Sequence, residues 1–307
     1  MRLKSKLKVK RNKKKSSKNI FFTALFLMFS VLILGIFACT FFRFSKSFSE
    51  KIIPAKVLGN IKVSPPPTPV PSPSPTPSPT PMPLVGYCLN VPVLMYHHIQ
   101  PNTQAHDLGQ SSLSVDNGRF DLQMGYLVSS GYSFLSAEQL VDALVSHTGV
   151  PNKSIVVMSD DGYSDFYTYA YPILQKYHIL ANLAVITGLV GGSDYVTWGQ
   201  VEEMAHSGLV TMLNHTWSHY AINHGTLDKI NYEIATAKQQ LIDHTGQAVD
   251  TFVYPFGSFN SSAILALQSQ GVKGAFSEIT GHWQCDSFIM ALHRIRIGNS
   301  DLSYYGF

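Results

Sequence analysis

Between Ser64 and Pro83 the chain reads SPPPTPVPSPSPTPSPTPMP, and no other segment restricts folding as much. It holds eleven of the seventeen prolines and has neither charge nor aromatic side chains. Proline fixes φ and offers no amide hydrogen, so such a run cannot join a helix or sheet core. It favours extended polyproline II at about 3.1 Å per residue, which makes it a spacer some ~60 Å long. The composition points to an unstructured stalk rather than a peptide ligand. The 307 residues must therefore be read as separate pieces on either side of it.

The first piece is a basic tail, residues 1–19, with ten Lys/Arg and no acid. From Ile20 to Phe42 no residue is charged, and only Thr23, Ser30 and Thr40 are clearly polar. At about 1.5 Å per residue that run is long enough to cross a hydrocarbon core of about 30 Å as a helix. Basic flanks stay cytoplasmic, so the sequence predicts a single transmembrane helix over residues 20–42, with everything after it outside the cytoplasm. A cleavable signal peptide would have a shorter apolar core, about 7–15 residues, and a small-x-small site, which is not evident here. Residues 43–85 then form a Pro/Ser/Thr-rich linker.

The remaining piece, residues 86–307, has the opposite charge balance. Fifteen of the twenty-three Lys/Arg but only one of the nineteen Asp/Glu precede it, leaving eight basic against eighteen acidic residues. The formal net charge of +4 thus belongs to the tail, and nothing favours nucleic acid as a partner. All twelve histidines lie in this piece. Cys88 and Cys285 stand near its two ends; an oxidising exterior permits a bridge, but two cysteines specify no framework.

From Cys88 onward, short β-branched runs alternate with amphipathic segments, the pattern of parallel βα units. Strands are predicted at 91–96, 154–159, 182–186, 210–213, 251–254 and 274–276. Helices are predicted at 117–129, 137–146, 164–177, 197–207, 227–244 and 261–270. The helix at 197 opens on the capping box Thr197-x-x-Gln200. A barrel or an open sheet follows, and in either the chemistry lies in loops after the carboxyl ends of strands.

Polar clusters follow two of those strands. Asp160 and Asp161 directly follow SIVVMS, with Gly162 permitting a sharp turn. Adjacent carboxylates repel, so one can bind a cation while the other handles a proton, although Asp-Asp-Gly is also an ordinary turn. His215 and His219 follow VTML. Four residues apart, on a helical turn or in a tight loop, they bring two imidazoles to one face, as zinc sites often require. Two solvent-facing histidines would explain that spacing alone. Together, Asp161, His215 and His219 supply one carboxylate and two imidazoles on one rim, leaving coordination open for water or substrate.

With these residues in view the chain resembles the polysaccharide deacetylases of carbohydrate esterase family 4, the NodB-like homology group. VPVLMYHHI at 91–99 resembles their opening strand and MSDDGYSD at 158–165 their Asp-Asp motif. HTWSH at 215–219 resembles their His-x-x-x-His motif, YPFG at 254–257 their Pro-Tyr-Gly motif, and LHRIRI at 292–297 their last strand. The resemblance implies a distorted (β/α) barrel with a divalent metal, Zn²⁺ or alternatively Co²⁺ or Ni²⁺, on Asp161, His215 and His219. It implies Asp160 as general base, the backbone N–H of Phe256 as an oxyanion donor, and His293 as the acid that protonates the leaving amine. Trp217 and Tyr163 are candidate stacking platforms for sugar rings. His97 and His98 end the first strand and are taken as structural.

Three positions depart from the family pattern: Ser159 replaces Phe, Phe256 replaces Tyr, and Val253 stands where many members carry an Arg beside the base. The last leaves Asp160 without the cation that would hold it ionised. The implied function is hydrolysis of N-acetyl groups from a cell-surface polysaccharide, peptidoglycan or poly-N-acetylglucosamine, by an enzyme anchored in the membrane. Hydrolysis of O-acetyl esters, as on xylan, and glycan binding without catalysis are the alternatives. A module that only binds would be expected to have lost one of the four site residues.

Overall fold

The computed structural model describes residues 84–307. The predicted tail, transmembrane helix and nearly all of the linker lie outside the described residues. Among the described residues no helix is long and apolar enough to cross a membrane.

The described residues form twelve strands: β1 Cys88–Asn90, β2 Val93–Tyr96, β3 His98–Ile99, β4 Ser114–Val115, β5 Ser133–Leu135, β6 Ser154–Ser159, β7 Ala181–Val185, β8 Val210–Asn214, β9 Thr251–Val253, β10 Gly274–Thr280, β11 Trp283–Cys285 and β12 Leu292–Arg296. Between them lie α1 Asn102–Asp107, α2 Asn117–Ser129, α3 Ala137–Ser146, α4 Tyr171–Tyr177, α5 Trp198–His206, α6 Leu227–Thr245 and α7 Ser261–Ser269.

The sheet closes on itself. In the order β2-β12-β10-β9-β8-β7-β6 and back to β2, seven strands pair in parallel. The barrel is distorted by β5, which pairs with the first half of β6 from Ser154 to Val156, whereas β7 takes its end from Met158. Because β5 is only three residues long, α3 begins early and runs across the N-terminal mouth. Its Leu140, Val141 and Leu144 enter the interior with Val93, Val156, Met158, Ala184, Leu213 and Val253. Each Val, Leu or Met among them, fully buried, stabilises the fold by about 1.5–3 kcal/mol. The approach is close enough that a Cβ on Gly274 would lie 2.6 Å from Val141 Cγ2.

The helices obey local rules. Ser136/Gln139 and Thr197/Gln200 form reciprocal capping boxes at the starts of α3 and α5. α6 starts on the Thr226 cap and ends where Gly246 turns left-handed (φ 66°). The predicted single helix over 164–177 is instead split: a wide turn at Phe166–Ala170 precedes α4, the kind of irregularity that gathers near functional sites.

Cys88 and Cys285 are bonded, and they face one another in the antiparallel pairing of β1 with β11. Two cysteines did not suffice to assign this bridge from sequence; the strand register brings them together. Closing a loop of 197 residues stabilises by about 5 kcal/mol on the chain-entropy account.

Strand alternation decides which residues reach the centre of the barrel. On β6, Val156 and Met158 point inward and Ile155 and Val157 outward. On β8, Leu213 is inward and Met212 outward, and on β9 Val253 is inward and Phe252 outward. Continuing the alternation past the strand ends aims Asp160 and His215 at the C-terminal mouth.

Candidate metal centre and active site

Asp160 and Asp161 are both almost fully buried at the end of β6. In an extended strand adjacent side chains diverge. They share one mouth here because Asp161 adopts left-handed backbone (φ 75°), followed by Gly162 at the same φ. Such geometry in a non-glycine residue costs of order 1 kcal/mol or more and persists only where the surroundings hold it. Of seven such residues among the described ones, four line this mouth: Asp161, Thr216, His219 and Phe256.

The His215–His219 segment is a tight loop rather than a helical turn. Nε2 of each imidazole lies 3.3 Å from Asp161 Oδ1, and one ligand atom from each of the three residues falls within 4.8 Å of the others. His215 Nδ1 lies 2.8 Å from the Val253 carbonyl. A carbonyl can only accept, so Nδ1 carries the hydrogen, and Nε2 of the neutral ring aims its lone pair at a carboxylate oxygen. Two electron-rich atoms held this way suit a cation between them, and a carbonyl fixing the outer nitrogen is the usual support for a metal-ligating imidazole. The donor set therefore fits a divalent metal.

With no cation between them the same groups share a proton instead, carried on His215 Nε2 toward Asp161. Burial alone would raise the Asp161 carboxyl, but the hydrogen bond from His215 and the charges of both imidazoles hold it well below the usual carboxylate range. Burial alone would lower His215, but Asp161 and Asp160 outweigh it and raise the imidazole. His219 is brought down to about 4 by burial and by the neighbouring His215. The pocket attracts positive charge yet has room for only one imidazolium.

Asp160 has a partner that sequence reasoning missed. Arg294 Nη1 lies 2.7 and 2.8 Å from its two carboxylate oxygens. This guanidinium is fully buried inside the barrel and also donates from Nε to the Ser277 carbonyl at 2.8 Å. The expectation of an unaccompanied base is corrected. Val253 does fill the β9 position with an apolar side chain, but β12 supplies the cation instead.

The same strand explains a second correction. Leu292 and Arg294 face the interior, so His293 between them faces outward. Its ring stacks on Phe288 at 4.5 Å, and its amide donates to Gln284 Oε1. Burial lowers its basicity, and the structure does not bring it to the mouth. His97 is the imidazole that faces the centre: alternation along β2 turns it inward. Burial lowers it, while Asp160 and Asp161 pull it up and Arg294 pushes it down. His98, one residue on, is buried outside, with Nδ1 2.6 Å from Asp165 Oδ2.

The predicted sugar platforms are otherwise engaged. Tyr163 stacks on His98 at 3.6 Å and on Tyr195 at 5.4 Å. Trp217 meets Tyr232 edge-on at 5.6 Å and closes over Gly188, where a Cβ would sit 2.4 Å from the Trp217 carbonyl oxygen. Phe256 is different. It follows β9 in left-handed backbone (φ 59°), is 63% exposed, and lies 4.4 Å from the His219 ring.

Residues 147–275 match the family model for polysaccharide deacetylase. Over those residues the chain is similar to the polysaccharide deacetylase family. Among solved structures, the Streptococcus pyogenes deacetylase PplD in complex with acetate superposes with a TM-score of 0.64 at 29% identity, covering 68% of this chain and 92% of that one. IcaB from Ammonifex degensii superposes with a TM-score of 0.61 at 26% identity, covering 68% and 91%. The poly-beta-1,6-N-acetyl-D-glucosamine N-deacetylase of Escherichia coli K12 is 29% identical over 222 residues; these are 59% of this chain but 33% of that enzyme, so the chain spans about a third of its length. Relatives of this kind are named N-deacetylases of poly-beta-1,6-N-acetyl-D-glucosamine, which makes them hydrolases of non-peptide carbon–nitrogen bonds.

Proposed function

We propose that this chain removes N-acetyl groups from poly-N-acetylglucosamine at the cell surface, with a divalent metal held by Asp161, His215 and His219. The observation that carries the proposal is the meeting, in one buried mouth, of that triad with an Asp160 clasped by Arg294. Names of similar proteins point to the same polymer, and peptidoglycan is the other N-acetylated wall polymer to test. One carboxylate and two imidazoles suit Zn²⁺, with Co²⁺ or Ni²⁺ as substitutes. When bound, the metal supplies Lewis acidity, easing deprotonation of a water and polarising the acetamide carbonyl.

The protein's own groups do the rest. Asp160 takes the proton of the attacking water, and Arg294 holds its carboxylate in place. The backbone N–H of Phe256 donates to the oxyanion, a contact that can contribute about 3 kcal/mol. His97, rather than His293, returns a proton to the departing amine. The exposed Phe256 ring, rather than Trp217 or Tyr163, offers its face to a sugar.

The proposal extends to location. The apolar run 20–42, behind its basic tail, anchors the chain in the membrane, and the proline stalk carries the domain outward into the wall. The test is acetate release by the full chain, in detergent with added Zn²⁺, from N-acetylglucosamine oligomers, peptidoglycan and acetylated xylan. Release from the oligomers, falling about 10²–10⁴-fold in Asp160→Asn, is expected. Release from xylan alone, or full activity in the variant, contradicts it.

A further inference from the structure

The loop bearing both imidazoles is strained: Thr216 (φ 67°) and His219 (φ 60°) are left-handed without being glycine. A loop of this kind keeps its shape only where neighbours over-determine it. Some of that holding is local. Asn214 Oδ1 accepts from the Thr216 amide at 2.9 Å, and Thr216 Oγ1 accepts from the Tyr220 amide at 3.0 Å. On one flank the Gly188 amide donates to the Trp217 carbonyl at 2.7 Å.

The other flank depends on a single residue of α6. The Glu233 carbonyl accepts from the Trp217 amide at 3.1 Å. Its carboxylate accepts from the Ser218 amide at 2.8 Å, from the Ser218 hydroxyl at 2.7 Å and from Lys229 Nζ at 2.6 Å. Glu233 is 0% exposed, so it receives two of the three backbone amides between the imidazoles, those of Trp217 and Ser218, while shut away from water. Lys229 lies in turn within 5.8, 5.4 and 5.4 Å of the Trp217, Tyr220 and Tyr232 ring centres.

Packing does not require a carboxylate there, since an apolar side chain of similar volume is often as stable or more so in a core. Three donors converging on it do, because hydrogen bonds to a charged acceptor are roughly twice as strong as neutral ones. We propose that Glu233 is a positioning residue of the metal centre: its carboxylate fixes the Trp217–Ser218 turn so that Nε2 of His215 and His219 converge on Asp161. This rests on the proposal that these three residues hold a metal. It adds a fourth group, on a helix, that touches neither metal nor substrate.

The test uses the full chain in detergent, with Co²⁺ titrated against a chromophoric chelator and the visible spectrum of the bound ion recorded. Glu233→Gln keeps the shape but halves the acceptor capacity. It is expected to weaken Co²⁺ binding about 10–100-fold, to shift the Co²⁺ spectrum, and to lower kcat with little change in KM. Ser218→Ala removes one donor without threatening folding; it is expected to weaken binding in the same direction, and less than additively in the double variant. Leu174→Ala, a core change on α4, serves as the control for lost stability alone. Co²⁺ affinity in Glu233→Gln no weaker than in Leu174→Ala, or an unchanged affinity in Ser218→Ala with strict additivity, overturns the proposal. Wild-type protein that binds Co²⁺ but releases no acetate would sink the substrate proposal and leave this one standing.

Discussion

The two mouths of the barrel handle charge in opposite ways. At the C-terminal mouth both buried carboxylates have a cationic or imidazole partner: Asp160 has Arg294, and Asp161 has His215 and His219. At the N-terminal mouth, α3 lays Glu138 and Asp142 against Asp250 and Lys273, which immediately precede β9 and β10 around a small cavity of about 70 Å³. There Glu138 Oε1 is buried without a hydrogen-bond partner. Burial, with Asp250 and Asp142 nearby, pushes its carboxyl up to about 7. Strain differs in degree: four left-handed non-glycine residues gather at the first mouth, while at the second α3 starts on an ordinary capping box and ends on left-handed His147. Charge placed for chemistry is held from several strands at once. At the other mouth Asp250 and Asp142 have lysine partners, but Glu138 on the plug has none.

The sharpest way to break this contrast is to remove the buried cation. Arg294→Met leaves the Asp160 carboxyl without its guanidinium partner in the barrel interior. Melting curves and acetate assays should show a loss of about 3–5 kcal/mol of stability, with acetate release down at least about 100-fold. Stability and activity within twofold of wild type would mean that the pair is incidental. Adding Val253→Arg to that variant, to bring a guanidinium from β9, should restore part of the activity.

A smaller effect of opposite sign is expected at the other mouth. The Glu138 carboxyl is raised in the folded state, so its contribution to stability is fully present below the unfolded value and is lost as pH rises through about 7. Glu138→Gln should therefore raise the melting temperature by a few degrees at pH 8, change it little at pH 4.5, and leave acetate release as in wild type. Equal melting shifts at both pH values would contradict the assignment.

These contrasts also explain what could be read from the chain alone. Asp160, Asp161, His215 and His219 were legible because each pair sits in one short stretch just after an apolar strand. Arg294 was not, since it meets Asp160 across 134 residues, and a lone Arg in an apolar strand carries no local sign of its partner. The misplacement of His293 could have been avoided: LHRIRI read with period two puts residues 293 and 294 on opposite faces. For His97 the same count would have given an inward direction. β5 escaped notice because SFL is too short to show alternation, and with it went the reason α3 plugs the barrel. The wide turn at Phe166–Ala170 is a backbone adjustment inside a stretch whose apolar spacing reads as one helix.

Everything at the C-terminal mouth depends on one cation among three side chains. Crystals of the protein grown with Zn²⁺, with anomalous data collected on either side of the zinc edge, address that directly. A single anomalous peak about 2.0–2.2 Å from Asp161 Oδ1 and from Nε2 of His215 and His219 is the expected result. An empty centre at saturating metal, with Asp161 simply hydrogen-bonded to a protonated His215, would contradict it.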